Sequence, residues 1–525
     1  MTRWPWYAAV FAAYPLLYIA AANPGQVETP TVALAAAAAA AMAASAMVLL
    51  RWLLGSWGAA GLGVAWLAFL FFAYGPVNEW WLDFVTAGVE QRAAGIQWYN
   101  RSPQLVHSIV WALIAAAGLY ELRRRAARLP SRLTAGLNLV AALLAVFVVM
   151  QGGINAAIGR ASQVAQASPV PAVLPPSSDA GRPDIYFIVL DGYARADVLR
   201  EYYGFDNTPF LDGLRTRGFQ VADASRSNFS WTFLSLGSAL NFEYVQPLLG
   251  DKLDPMTRDR KEMYRLIRDS RAAHFLKEQG YRTVQLQSTW GGTGSNPHVD
   301  EFLACDAGLF GDEYLRAVAD ASWLRALESK ASMDIANCHL QNFEALAAQA
   351  SRPGPKFVLA HFVPPHHPYL FDREGNVLRR ANISDQFEFQ KRLWEDRVSY
   401  VDQLLYVNRR IGEVVDRILS DSPHPPVIVL VSDHGPNLKD GLRRDAQRRI
   451  RFANLTAMFL PGAGSDLLPP DATPVNHLRR IFNEYFDAGL PILPDRYFAS
   501  TYEHPYGFLE IGADDLPVQA PAAGF

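Results

Sequence analysis

Five apolar stretches precede residue 155, at roughly Trp4–Ala22, Thr31–Leu54, Gly58–Tyr74, Leu105–Tyr120 and Leu133–Gln151. Each is close to the ~20 residues a helix needs to cross a bilayer, and they hold almost no internal charge. A soluble helical core does not require five such runs in succession, so the pattern predicts a transmembrane bundle. The first stretch is too long, too aromatic and has too many successors to be a cleaved signal peptide. With 525 residues the chain has room for two or three domains, and its composition is split. The part before about residue 155 is rich in Ala, Leu and Trp, whereas the part after about residue 183 reads as a globular enzyme domain. A formal net charge of −3 offers no case for nucleic acid as a partner.

The loops orient the bundle. Arg123, Arg124, Arg125, Arg128 and Arg132 follow the fourth stretch, and Arg3 and Arg51 fall on the same side. The outer loops 23–30 and 77–104 carry only Arg92 and Arg101. Under the positive-inside rule this predicts a cytoplasmic amino terminus and an extracytoplasmic carboxyl domain, in a multi-pass protein of a bacterial-type inner (plasma) membrane. Trp80, Trp81, Trp98 and Tyr99 suit a lipid–water interface. The expected organisation is a five-helix transmembrane domain at 1–152, a linker rich in Ala, Pro and Ser at 153–182, and a catalytic domain at 183–525. Pro169, Pro171, Pro175 and Pro176 favour an extended linker. Both cysteines, Cys305 and Cys338, lie in the outer domain, where an oxidising compartment favours a disulfide between them.

Within that domain, 184–190 (DIYFIVL), 283–287, 356–362 (KFVLAHF), 427–431 (VIVLV) and 455–460 read as strands, most of them buried on both faces. Apolar spacing from Val401 to Ile418 predicts a long helix over about 397–419. Alternating strands and helices imply an α/β domain with a mostly parallel central sheet flanked by helices. Residues at the carboxyl ends of such strands share one edge, where open α/β sheets bind ligands. Asp191 ends the first strand, and Asp433 and His434 end the fourth. Two carboxylates and an imidazole suit a divalent cation, zinc or manganese. A hydroxyl-rich stretch, SNFSWTFLSLGSALN at 227–241, reads as a loop entering a helix and offers Thr232, Ser230 and Ser235 as nucleophiles.

Asp-Gly-Tyr at 191–193, the Ser/Thr-rich helix start near Thr232 and Ser-Asp-His-Gly at 432–435 stand in an order that resembles the alkaline phosphatase and sulfatase superfamily. The resemblance covers about residues 184–508. The architecture of five membrane segments and an outer domain resembles lipoteichoic acid synthases and lipid A phosphoethanolamine transferases. It implies one divalent metal ion held by Asp191, Thr232, Asp433 and His434, with Thr232 as nucleophile. It also implies that His361 and His366 hold the substrate's phosphate or protonate its leaving group, with His367 as good a candidate as His366. From the residues themselves, Asn228 before the nucleophile loop could hold an oxyanion or cap a turn, and Arg451 could contact substrate or solvate the sheet edge. Trp290 and Asn454 are further candidates for the pocket wall and rim.

The formylglycine pattern, Cys or Ser followed by Pro two residues on and Arg four on, is absent at 230–234. No Asp-x-x-x-His element for a second metal precedes His434, and Asp191 stands where the two named transferase families often have Glu. The expectation is a membrane-anchored, metal-dependent phosphoryl-group (headgroup) transferase acting on an envelope lipid or glycan. The rival readings are a sulfatase- or phosphatase-type ester hydrolase and a catalytically inactive envelope-assembly protein.

Overall fold

The computed structural model describes residues 4–23, 27, 29–86, 102–161, 182–378 and 393–516. The chain divides into two compact units, Met1–Arg160 with Tyr314–Glu328, and Ala161–Glu313 with Ser329–Phe525.

Five long helices form most of the first unit: Tyr7–Ala22, Thr29–Leu54, Trp57–Thr86, Ser102–Arg125 and Ser131–Ala161. Among the described residues, three of these helices are long and apolar enough to cross a membrane, over Thr29–Leu54, Trp57–Asn78 and Arg132–Gln151. The Tyr7–Ala22 helix is apolar but only 16 residues long. The Ser102–Arg125 helix packs on the third helix partly through polar groups. His107 Nδ1 lies 2.8 Å from Asn78 Oδ1, the Tyr74 and Ser108 hydroxyls are 2.8 Å apart, and Trp111 Nε1 donates to Leu70 O. In the alanine-rich second helix Ala39, Ala43, Met47, Leu50 and Leu54 are buried, a three- and four-residue spacing that makes one packing face. Trp80 is exposed, while Trp98 and Tyr99 lie outside the described residues. The last helix runs to Ala161, beyond the composition break at residue 153, because two glycines weaken a helix without ending it. The rest of the expected linker, 162–181, lies outside the described residues. Tyr314–Glu328 joins this unit through an apolar cluster of Leu16, Ala39, Tyr314 and Val318, and the Tyr314 hydroxyl donates to Leu16 O at 3.0 Å.

The second unit is built on a seven-stranded sheet of order β2-β7-β6-β1-β5-β3-β4. Its strands are β1 (Ile185–Leu190), β2 (Gln220–Val221), β3 (Arg282–Leu286), β4 (Glu301–Leu303), β5 (Lys356–Phe362), β6 (Val427–Val431) and β7 (Thr456–Phe459). A separate hairpin pairs β8 (Tyr497–Ala499) with β9 (Leu509–Ile511). β1 pairs in parallel with both β5 and β6, β3 pairs in parallel with β4 and β5, and β7 runs antiparallel to β6. Every residue of β1, β5 and β6 is buried, as their unbroken apolar runs require of strands covered on both faces. The long helix is present over Arg397–Asp421. Cys305 and Cys338 form a disulfide, with Cα atoms 4.9 Å apart.

At the amino-terminal edge of the sheet, Lys356 is fully buried and its ammonium donates to Asp184 and to Arg352 O. In the core beyond, the Pro474–Phe486 helix carries His477, completely buried with neither ring nitrogen hydrogen-bonded among the described residues. Burial, helped by the Arg480 charge, lowers its pKa to about 3. The unfolded value is about 6.5, so protons favour the unfolded chain between these limits, and stability falls as pH drops through that window. Between pH 6.5 and 5 the loss amounts to about 2 kcal/mol. The thermal midpoint of this unit is therefore expected to fall less between pH 7 and pH 5 in His477→Leu than in the parent; an equal fall would remove His477 as the cause.

Candidate active site

The register of the sheet creates the site. Val189 pairs with Val431 on one side and with His361 on the other, so two residues further on Asp191 and Asp433 leave adjacent parallel strands in step. The two strand ends are tied together. Gly192 N donates to Asp433 Oδ1 at 3.1 Å and Tyr193 N to Ser432 Oγ at 2.8 Å, while Ser432 Oγ donates to His434 O at 2.7 Å. The Tyr400 hydroxyl, from the long helix, donates to Gly192 O and accepts from Ala194 N. Gly192 has φ +64°, and a Cβ there would lie 2.7 Å from the Trp394 ring, so the turn after Asp191 needs glycine. Gly435 meets a different demand, since a Cβ would sit 2.0 Å from Ile450 O in the Arg444–Phe452 helix.

His434 Nδ1 lies 3.1 Å from Gly435 O, a bond in which the ring nitrogen donates, leaving the Nε2 lone pair for the interior. That Nε2 is 3.1 Å from Thr232 Oγ1, 3.2 Å from Asp433 Oδ2 and 3.8 Å from Asp191 Oδ1. Thr232 opens the helix Thr232–Leu240 after an extended Trp231. The three hydroxyls left open by the sequence are now distinguished. Ser235 Oγ donates to Phe229 O, Ser230 Oγ accepts from Ser500 N, and Thr232 faces His434.

Asp191 Oδ1 and Asp433 Oδ2 are buried without a hydrogen-bond partner among the described residues. Burial raises the pKa of Asp191, and burial with repulsion from Asp191 pushes Asp433 up to about 7. Buried polar atoms are rarely left unmatched, and two facing carboxylates gain most from a shared cation. Ligand atoms of Asp191, Asp433 and His434 lie within 4.8 Å of one another, and this oxygen–oxygen–nitrogen set suits a divalent metal ion.

Two histidines flank the cluster. His361 Nδ1 is 2.9 Å from Thr293 Oγ1, which in turn is 2.6 Å from Ser288 Oγ. The other nitrogen, Nε2, is 3.4 Å from Asp191 Oδ2 and in no hydrogen bond among the described residues. Trp290 packs edge-on against the His361 ring, and burial lowers that histidine to about 4 against the pull of Asp433. The backbone of His366 donates to Asp191 O, its Nδ1 lies 2.6 Å from His367 O, and its ring is 6.4 Å from that of His434. Burial lowers its pKa, opposed by Asp191. His367 packs on Trp394 and Tyr369 with Nε2 buried and unbonded among the described residues.

Arg451 is buried between the two loops that meet at the site. Its Nε donates to Ser230 O and its Nη1 to Gly435 O, and its guanidinium lies over the Trp231 ring. Desolvation lowers it to about 10, resisted by Asp433 and Asp191. The expectation of a substrate contact at Arg451 thus meets a residue already engaged with main chain. Asn228 is also engaged with main chain. Its Oδ1 accepts from Val475 N at the start of the Pro474–Phe486 helix and its Nδ2 donates to Arg496 O, so this side chain satisfies backbone away from the cluster. Asn454 donates to Ser432 O and steadies the β6 turn. Thr293, Tyr400 and Trp394 were missed in sequence. Only the Gly-rich run around Trp290 hinted at Thr293, and the other two lie in or beside helical sequence that reads as ordinary core.

A family model described as Sulfatase matches residues 183–457. No curated protein matches the chain by sequence. Among solved structures, the C-terminal periplasmic domain of EcEptC from Escherichia coli is similar at 15% identity and TM-score 0.42, over 66% of this chain and 98% of that one. The integral membrane lipooligosaccharide phosphoethanolamine transferase A from Neisseria meningitidis is similar at 13% identity and TM-score 0.41, over 92% of this chain and 95% of that one. The periplasmic domain of phosphoethanolamine transferase EptC from Campylobacter jejuni is similar at 12% identity and TM-score 0.38, over 60% and 96%. The matched family region spans more than half of the 525 residues and contains Asp191, Thr232, His361, Asp433 and His434, and the chain belongs to the sulfatase family.

Proposed function

We propose that this protein is a membrane-anchored, metal-dependent transferase that moves a phosphoryl-linked headgroup through a covalent intermediate on Thr232. The observation that carries the reading is the Thr232 hydroxyl 3.1 Å from His434 Nε2, beside carboxylate oxygens of Asp191 and Asp433 that have no other partner among the described residues. Asp191, Asp433, His434 and Thr232 would hold one divalent ion, zinc or manganese, which when bound lowers the pKa of the threonine hydroxyl and screens charge on the phosphoryl oxygens. Thr232 then gives its proton, by way of water, to the neutral histidine that serves the leaving group, and takes one back when its own O–P bond finally breaks. As it attacks phosphorus, the new Thr232 O–P bond forms while the bond to the donor alcohol breaks. The departing oxygen takes a proton from His366 or His361. For His366, the contact of Nδ1 with His367 O leaves Nε2 as the exchanging nitrogen, and for His361 Thr293 fixes the ring. An acceptor alcohol next gives its proton back to the same histidine and attacks phosphorus, and the Thr232 O–P bond breaks.

Transfer to a lipid or glycan acceptor, rather than hydrolysis, is supported by helices long and apolar enough to hold the enzyme at a membrane. The arginines after the fourth helix support an arrangement of five spans with the amino terminus in the cytoplasm and the catalytic unit outside.

Thr232→Ala is expected to lower turnover by roughly 10³-fold or more with metal content retained, whereas Asp433→Asn loses both. Parent protein should contain about one divalent ion per chain by elemental analysis, and chelation should abolish activity until zinc or manganese is restored. Unchanged turnover in Thr232→Ala would reject the nucleophile, and metal-free active protein would reject the mechanism. With a headgroup-labelled phospholipid and a glycan or lipid acceptor, label should pass to the acceptor; release only as free headgroup would assign hydrolysis instead.

A further inference from the structure

The stretch 437–452, between the Asp-His-Gly turn and β7, holds six cationic residues against two acidic ones, in a chain whose net charge is −3. Two of the six are already used. Arg449 pairs with Glu201, and Arg451 with the carbonyls of Ser230 and Gly435. The others gather toward the start of the Arg444–Phe452 helix. Arg443, its N-cap, has an 88% exposed side chain and, among the described residues, an ion pair only with the exposed Asp445. The side chains of Arg444 and Arg448 are in no ion pair or hydrogen bond among the described residues, and the two stand four apart, so their like charges share one helix face.

This is a poor way to start a helix. The amino-terminal turn carries the positive end of the helix dipole and favours acids, yet only Asp445 answers two arginines there. Local rules broken without structural return point to function. The same helix is fastened to the site at its other end, where Gly435 N donates to Arg451 O at 2.8 Å and Ile450 O leaves no room for a Cβ on Gly435. Seven residues of helical rise place Arg444 roughly 10 Å along the axis from Arg451.

We propose that Arg443, Arg444 and Arg448 form a subsite for a second anionic group, a phosphate, sulfate or carboxylate, on the molecule processed at Asp191, Asp433 and His434. The proposal rests on the functional reading above and narrows it to substrates with an additional negative charge that reaches the far end of this helix. Arginine suits the task, since its planar fork binds oxyanions bidentately and stays charged.

The test uses full-length protein in neutral detergent and a fluorescein-labelled sulfated dextran oligosaccharide, titrated by anisotropy at several salt concentrations. Arg443→Ser/Arg444→Ser/Arg448→Ser is expected to bind at least tenfold more weakly at low salt. Its log K–log salt slope should be shallower by about two to three, the mark of lost ion contacts. Turnover of a small ester with a single anionic group should stay within twofold of the parent, which also reports intact folding. Equal affinity for the oligosaccharide in parent and variant would overturn the subsite. So would weakened binding to phosphatidylglycerol vesicles with oligosaccharide binding unchanged, which would make the patch a membrane contact. Repeating the titration in Thr232→Ala separates the two readings, because its binding should match the parent whether or not turnover is lost.

Discussion

Two acids held in step on neighbouring parallel strands are the constraint on which this structure turns. Asp191 and Asp433 cannot move apart without breaking the pairing of β1 with β6, and they cannot both be charged and dry without a counter-ion. The groups around them follow from that conflict. A cation between them needs an imidazole with its free nitrogen turned inward, which the Gly435 carbonyl arranges for His434. It also needs a turn tight enough to aim each acid, which Gly192 provides under Trp394. The sulfatase-family match, residues 183–457, begins just before the strand carrying the first acid and ends within β7, past the strand carrying the second.

A second tier holds the first in place. Arg451 pins the loop before Thr232 to the loop after His434 with two hydrogen bonds to carbonyls, although burial costs the guanidinium part of its usual basicity. Tyr400 braces the Asp191 turn, Thr293 sets the ring of His361, and Gln403 bonds the carbonyl of His366. Such partners contribute little as isolated bonds, about 1 kcal/mol each, yet they decide whether the reactive atoms meet.

Much of this was legible in the amino-acid order, for identifiable reasons. VIVLV and IYFIVL are long, unbroken and apolar, so strand type and burial were unambiguous, and both stop at an acid. Asp191, Asp433 and His434 are adjacent to those stops and needed no long-range knowledge. Thr232 could not be told from Ser230 and Ser235, because the distinction lies in which hydroxyl a helix start turns toward His434. The backbone that Asn228 bonds, at Val475 and Arg496, lies far along the chain and leaves no trace in the neighbouring sequence. The short edge strands β2 and β4 lack any periodic signal. The polar contacts of the fourth helix of the first unit with the third, through His107 and Ser108, were not legible from its apolar run.

The route of the chain between Cys305 and Cys338 has a practical meaning. Those cysteines are joined, and the residues between them include Tyr314–Glu328, whose packing belongs to the helical unit. No single cut therefore separates the two units. A soluble fragment starting after the linker would retain Tyr314, Val318 and Trp323 while discarding the residues they pack on, among them Leu16, Ala39 and Tyr74. It would carry a new sticky patch and a covalently closed loop with nothing to fold against. Expression of the catalytic half alone calls for redesign of that loop as well as removal of the amino-terminal helices.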